Sequence, residues 1–186
     1  MERRKKLPKF LLFLFVLILI WTFLQILAPA AIPKNSIEDL SGNIGVTDNK
    51  NLFDSFEMPW NYVYSVGDRM CHQLNDRSFF INGNEMPLCS RCIGIWLGLV
   101  IGLGFMLLYR INLDERFLWL IIIGFGPIGL DGVAQFFGFW DSSNAIRLIT
   151  GLLAGGTCGI TIGVILDEIK DFHIFNSIKS LPKHKT

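Results

Sequence analysis

The sequence predicts an all-α integral membrane protein: four transmembrane helices with a small extracytoplasmic loop made of a helix and a hairpin. Three observations carry this. The 186-residue chain is 51% hydrophobic and 18% charged, with a mean hydropathy of +0.44, too apolar and charge-poor for an ordinary soluble domain. Its apolar residues are blocked: 10–28, 92–109 and 148–166 carry no charge, and 117–140 carries one, Asp131. Each block is near the ~20 residues a helix needs to cross a hydrocarbon core, where only closed backbone hydrogen bonding survives. Third, the basic residues are lopsided. The N-terminal tail, the 110–116 loop and the C-terminal tail hold eleven basic and six acidic residues, against five and eight in the 29–91 loop. That bias places both termini in the cytoplasm and the long loop outside a cell membrane crossed several times.

Four units follow along the chain. Residues 1–28 form a cytoplasmic tail and a retained signal-anchor helix. The alternative is a cleaved signal peptide, since Ala28-Pro29-Ala30 resembles a small-residue cleavage site. Residues 29–60 are polar and rich in turn formers (Pro33, Asn35, Ser41-Gly42-Asn43, Gly45) and read as an exposed loop with little regular structure. Phe53, Phe56, Met58 and Trp60 at its end suit the membrane interface. Residues 61–166 hold a Cys/His loop and a three-helix membrane core. Within that loop, Tyr62, Val63, Val66, Met70 and Leu74 recur at helical spacing, and Asn82-Gly83 is a strong hairpin signal. Residues 167–186 form a second cytoplasmic tail.

Small residues recur every fourth position on two membrane helices: Gly94, Gly98 and Gly102, then Gly151, Gly155, Gly159 and Gly163. Such stripes let backbones approach closely in lipid. They could serve packing within the chain or a homo-oligomer. Pro127 predicts a kink in the third helix, because the carbonyl of Ile123 loses its partner.

Chemistry concentrates just ahead of the second apolar block. Cys71-His72 and Cys89-x-x-Cys92 put three of four cysteines and one of three histidines within 22 residues. Thiols and an imidazole at this spacing suit a metal, zinc first and iron second, held by Cys71, His72, Cys89 and Cys92. Neighbours on a helix point about 100° apart, so Cys71 and His72 do not both ligate easily. Two other readings stay open. A thiol at a helix N-terminus is reactive, which suits quinone-linked thiol–disulfide exchange, although three outer cysteines leave one unpaired. A structural disulfide is natural outside the cytoplasm.

Asp131 is a carboxylate inside a membrane helix, a functional-site hypothesis by default. It lies about 13 Å below Trp140 at about 1.5 Å per residue, with Gln135 on the same face. Arg147, near the outer end of the fourth helix, is in reach to pair with it. With four spans, Gln73, Arg91, Asp131, Gln135, Asn144 and Arg147 all gather at one end, predicting a polar pocket beneath the cysteine loop. Arg77 and Arg91 suit an anion or a lipid phosphate. Cys158 reads as a packing residue; His173 and His184 read as incidental. A net charge of +1 and no basic patch outside the tails exclude nucleic acid as a partner. No nucleotide loop, nucleophile elbow or His-Glu-x-x-His motif is present.

Cys71-His72-Gln73, Arg77-Ser78-Phe79, Pro87-Leu88-Cys89-Ser90-Arg91-Cys92-Ile93-Gly94, Asp131, Gln135, Asn144, Arg147 and Thr150-Gly151 together resemble a family of small predicted membrane proteins of archaea and bacteria, catalogued as a domain of unknown function. The resemblance covers about residues 67–166. It implies a membrane location and no established activity. The expected function is a membrane protein with a metal-binding loop over a polar pocket; thiol–disulfide oxidoreduction and a disulfide-bearing scaffold are the alternatives.

Overall fold

The computed structural model describes the backbone of residues 2–4, 6–40, 42–111 and 113–179, and their side chains as far as 172 apart from Glu2 and Asp171. His173, His184 and the lysines at 5, 179, 183 and 185 lie outside the described side chains. In chain order the elements are β1 (Glu2–Arg3), α1 (Lys9–Ala31), α2 (Lys50–Phe53), α3 (Trp60–Met70), β2 (Phe80–Ile81), β3 (Asn84–Glu85), α4 (Ser90–Leu108), β4 (Tyr109–Arg110), α5 (Glu115–Phe136) and α6 (Asn144–Lys179). Among the described residues, four helices are long and apolar enough to cross a membrane: α1, α4, α5 and residues 144–170 of α6. The fold is the expected helical one, with only two-residue strands.

The helices lie in the order α1, α4, α6, α5, and α4 against α6 is by far the most extensive contact. The glycine stripes explain why. A Cβ at Gly98 would run into the Leu152 carbonyl, and one at Gly155 into the Ile95 carbonyl. Backbone meets backbone only because neither helix carries a side chain there. Both stripes therefore face each other inside one chain, and neither is open to a second copy. Gly126, Gly129 and Gly132 on α5, by contrast, face open space.

The 29–60 segment is folded, where an exposed loop was expected. Ile37, Leu40 and Phe53 are buried in a cluster with Ala28 and Ile32 from the end of α1 and with Val63 and Tyr64 of α3. Phe53 stacks on Tyr64 at 5.6 Å between ring centroids, so it belongs to this core and not to the membrane interface. The inward face of α3 also differs from expectation. Val63, Tyr64, Gly67 and Asp68 are buried, whereas Tyr62 and Met70 are exposed.

The hairpin forms as expected. Asn82 and Gly83 both have positive φ, +56° and +73°, the signature of the tight turn that Asn-Gly favours. Asn84 then ties the hairpin to the end of α1. Its side-chain amide donates to the Pro29 and Pro33 carbonyls, both at 2.9 Å. Its side-chain oxygen accepts from the Ser36 and Ile37 N–H groups at 2.7 and 3.1 Å. The α1 end, the 33–40 segment and the hairpin thus make one cap over the cysteine end of the bundle.

At the other end β1 pairs with β4, strapping the N-terminal tail across the end of α4. Arg4 donates from Nε to the Met106 and Tyr109 carbonyls at 2.7 and 3.2 Å, and from Nη1 and Nη2 to the two carboxylate oxygens of Asp167 on α6.

Candidate metal centre and arginine-lined cavity

The Cys-His-Gln and Cys-x-x-Cys segments meet where α3 ends and α4 begins. Cys71 is the residue that ends α3, and Cys89 occupies the N-cap of α4. Gln73 fixes the first segment. It is fully buried at φ +44°, a left-handed conformation uncommon for a residue with a side chain. Its Nε2 donates to the Pro87 carbonyl at 2.7 Å, which fastens the end of α3 to the stretch leading into Cys89. The turn brings the Gln73 N–H onto the Cys71 sulfur. Close packing of Gly67 against Pro87, whose carbonyl a Cβ at Gly67 would strike, holds the same junction.

Three sulfurs converge. Cys89 Sγ lies 3.4 Å from Cys92 Sγ, Cys92 Sγ lies 3.8 Å from Cys71 Sγ, and all three lie within 4.8 Å of one another. Backbone donors point at them: the Cys89 N–H reaches Cys71 Sγ at 3.3 Å, and the Arg91 and Cys92 N–H groups reach Cys89 Sγ. The neighbouring Cys71 and Cys92 thiols, with those N–H groups, pull the Cys89 thiol far below its ordinary range. The Cys71 thiol is pushed up, chiefly by Cys89 and also by burial. Cys89 is the sulfur at a helix N-terminus, where a thiolate is favoured.

His72 does not join this group. It is exposed and lines the cavity beside the sulfurs instead. The cavity has a volume of about 200 Å³. Cys71, Cys89 and Cys92 form one wall; Arg77, Arg91, Arg147 and Gln135 form another, and Ile44 of the cap closes part of it. The cap is held there by two backbone bonds to the end of α3: Gly42 N–H to the His72 carbonyl at 3.2 Å and Gly45 N–H to the Arg69 carbonyl at 2.9 Å.

Behind the cavity is Asp131, 2% exposed. Its partner is Arg91, whose Nη2 donates to Asp131 Oδ2, and not Arg147 as the sequence suggests. Arg91 starts on the first turn of α4 and reaches across to α5, so it takes the carboxylate first. Gln135 links the two arginines. Its Nε2 donates to Asp131 Oδ2 at 2.8 Å, and its Oε1 accepts from Arg147 Nη2 at 3.3 Å. Asn144 binds the outer loop rather than lining the cavity: its Nδ2 donates to the Ser78 carbonyl at 3.2 Å, and its Oδ1 lies 3.0 Å from Ser90 Oγ. Gln73 is likewise an anchor and not a lining residue. Asp131 Oδ1 and Arg91 Nε are buried without a hydrogen-bond partner.

Sequence reasoning missed Ile44 and the cap as part of the site, because no periodic signal joins residues 42–45 to the cysteines. It noticed Arg77 and left it out of the pocket; its place in the cavity comes from the turn at Asn75–Arg77.

Known proteins agree with the membrane reading. The family described as "Predicted membrane protein (DUF2085)" matches residues 71–163, which span all three cysteines, Asp131 and Arg147. An uncharacterized protein of Methanocaldococcus jannaschii is 38% identical over 107 residues, covering 53% of this chain and 67% of the relative. An uncharacterized protein of Methanothermobacter thermautotrophicus is 34% identical over 86 residues, covering 46% of this chain and 78% of the relative. No solved structure matches significantly.

Proposed function

The chain belongs to this family of predicted membrane proteins, and from its geometry we propose that it is a metal-stapled membrane protein whose Cys71, Cys89 and Cys92 hold one zinc ion at the wall of the polar cavity. The observation that carries the reading is the sulfur spacing. Thiolates about 2.3 Å from one tetrahedral ion lie about 3.8 Å apart, close to the 3.4 and 3.8 Å found between Cys89, Cys92 and Cys71. A disulfide would need about 2.05 Å and would leave the third sulfur idle. The N–H groups aimed at Cys71 and Cys89 support ligating thiolates. Three protein ligands leave a fourth position open, the arrangement of reactive rather than purely structural sites. His72 and a cavity ligand are the candidates to fill it. The excess of basic residues on the tails and the 110–116 loop supports an extracytoplasmic position for this end.

A second reading, thiol oxidation by a quinone, is favoured by one observation. An apolar groove of about 420 Å³, bounded by Trp21, Tyr62, Trp96 and Met70, shares Met70 with the cysteine cavity. In that reading Cys89 and Cys92 close to a disulfide, and their two electrons and two protons reduce the quinone to its quinol.

One experiment separates them. Metal content and free thiols are measured on the 186-residue chain purified under mild conditions. The expected result is about one zinc per chain, lost on Cys89→Ser. Absence of metal together with a reducible Cys89–Cys92 disulfide overturns the zinc reading in favour of the quinone reading.

A further inference from the structure

We propose that the cavity is a binding site for a phosphate-type oxyanion, gripped by Arg147 with Arg77 at its mouth. Arg147 carries this proposal. It is 5% exposed, lines the cavity, and has no carboxylate partner among the described residues. Its side chain makes two long bonds to neutral acceptors, 3.3 Å to Gln135 Oε1 and 3.4 Å to Asn144 Oδ1. An unpaired buried charge is costly, so a guanidinium held this way, facing a cavity, calls for an anion.

The neighbouring charges leave room for one. Arg91 is taken by Asp131. Arg77 reaches Asp76 only at 3.6 Å, and both side chains are largely in solvent, where such a pair is weak. Among the described residues, no carboxylate lines the cavity. Zinc on three thiolates would add one net negative charge, which offsets one arginine and still leaves the wall basic. Guanidinium forks match phosphate in geometry. The inference shares the cavity with the zinc reading but rests on the arginines, so it stands or falls separately.

Two sources supply this chemistry: free phosphate, or the headgroup of a lipid with a phosphomonoester. The shared Met70 wall between cavity and apolar groove allows a lipid to reach both. The test uses the full chain in neutral nanodiscs. Binding of radiolabelled inorganic phosphate is measured by equilibrium dialysis, and binding of phosphatidate by its retention on nanodisc exchange. Saturable binding of either is expected, weakened about tenfold or more by Arg147→Gln and less by Arg77→Gln, with metal content unchanged. Phosphatidate binding that free phosphate does not displace identifies the lipid; displacement identifies the free anion. Where Arg147→Gln fails to fold, Arg147→Lys, which keeps the charge and loses the fork, takes its place. No saturable binding of either probe, or equal binding by both arginine variants and the parent chain, overturns the proposal. If neither probe binds and zinc remains, only this inference falls; if either probe binds without zinc, only the metal reading falls.

Discussion

At one end of the bundle Arg4 bridges to Asp167; at the other Arg91 bridges to Asp131. The first pins the N-terminal tail to α6 and the second joins α4 to α5; both are mostly out of solvent, yet they differ in completeness. Arg4 uses its Nε on two backbone carbonyls and both terminal nitrogens on the carboxylate, so both oxygens of Asp167 are satisfied. At the cysteine end Arg91 and Gln135 crowd onto Asp131 Oδ2, and Oδ1 and Arg91 Nε are left bare. Buried polar groups are normally paired, and each exception asks for an explanation. A saturated pair is sufficient as a lock between helices. An unsaturated pair beside a cavity of thiols and arginines is the arrangement of a site, where polarity is kept available for something else.

Removing the carboxylates separates the two ends most sharply. Asp167→Ala and Asp131→Ala each strand a partly buried arginine and should cost up to about 3 kcal/mol, read from unfolding in mixed micelles. The double replacements should then diverge. Arg4→Met with Asp167→Leu should recover most of the stability and leave metal content untouched, because apolar pairs often replace buried ion pairs at no loss. Arg91→Met with Asp131→Leu should also recover stability but lower phosphate binding, since Gln135 and Arg147 lose the group that orients them. Unchanged phosphate binding in that second double variant would show that the cysteine-end pair, too, is only a lock.

Much of this contrast was legible in the residues. Four charge-poor blocks gave four helices, because a hydrocarbon core demands length and apolarity that composition displays directly. The three cysteines met as their spacing suggested, and Asn82-Gly83 turned as its backbone preference dictates. The partner of Asp131 was not legible. Arg91 and Arg147 are both near the same end, and which one arrives depends on the rotation of α4 against α6, set by Gly98 and Gly155 meeting backbone. The cap was not legible either. Ile37, Leu40 and Phe53 follow neither a helical nor a strand period; they are buried by contacts with Tyr64 and the end of α1. Asn84 reads as a turn residue and turns out to make four bonds to a segment some fifty residues away.

Asn84 gives a smaller test, aimed at the cap over the cysteine end. Asn84→Ala leaves the Ser36 and Ile37 N–H groups and the Pro29 carbonyl without partners, while the Pro33 carbonyl keeps the Ser36 hydroxyl, at a cost of about 2 kcal/mol or more. Hydrogen exchange should quicken through residues 33–40 and around Ile44, and the thiols should label faster. Exchange near Arg4 and Asp167 should not change. Equal loosening at both ends would mean that the cap and the bundle unfold as one unit, and the two ends could not be treated separately.

The smallest effect expected is at Glu85, beneath the same cap. Its carboxylate accepts the Leu40 N–H at 2.8 Å through Oε2, while Oε1 is buried and bare. Burial is the main cause that raises its pKa above the ordinary 4.5, with Asp39 and Asp76 adding to it; bonds from Ser78 and the Leu40 N–H work the other way. The raised value means the folded chain holds this proton more tightly than the unfolded chain. Between 4.5 and the raised value the folded state therefore binds more protons, and stability falls as pH rises through that window. Above the window the loss is complete. Glu85→Gln removes the titration and keeps an acceptor for Leu40. The variant should be more stable than the parent by about 1 kcal/mol at neutral pH, and the difference should close as pH falls to about 4. Melting curves of both chains at the two pH values decide it. A gap that does not depend on pH would mean that Glu85 stays ionised under the cap, and that the cap satisfies this one carboxylate as the Arg4 end satisfies Asp167.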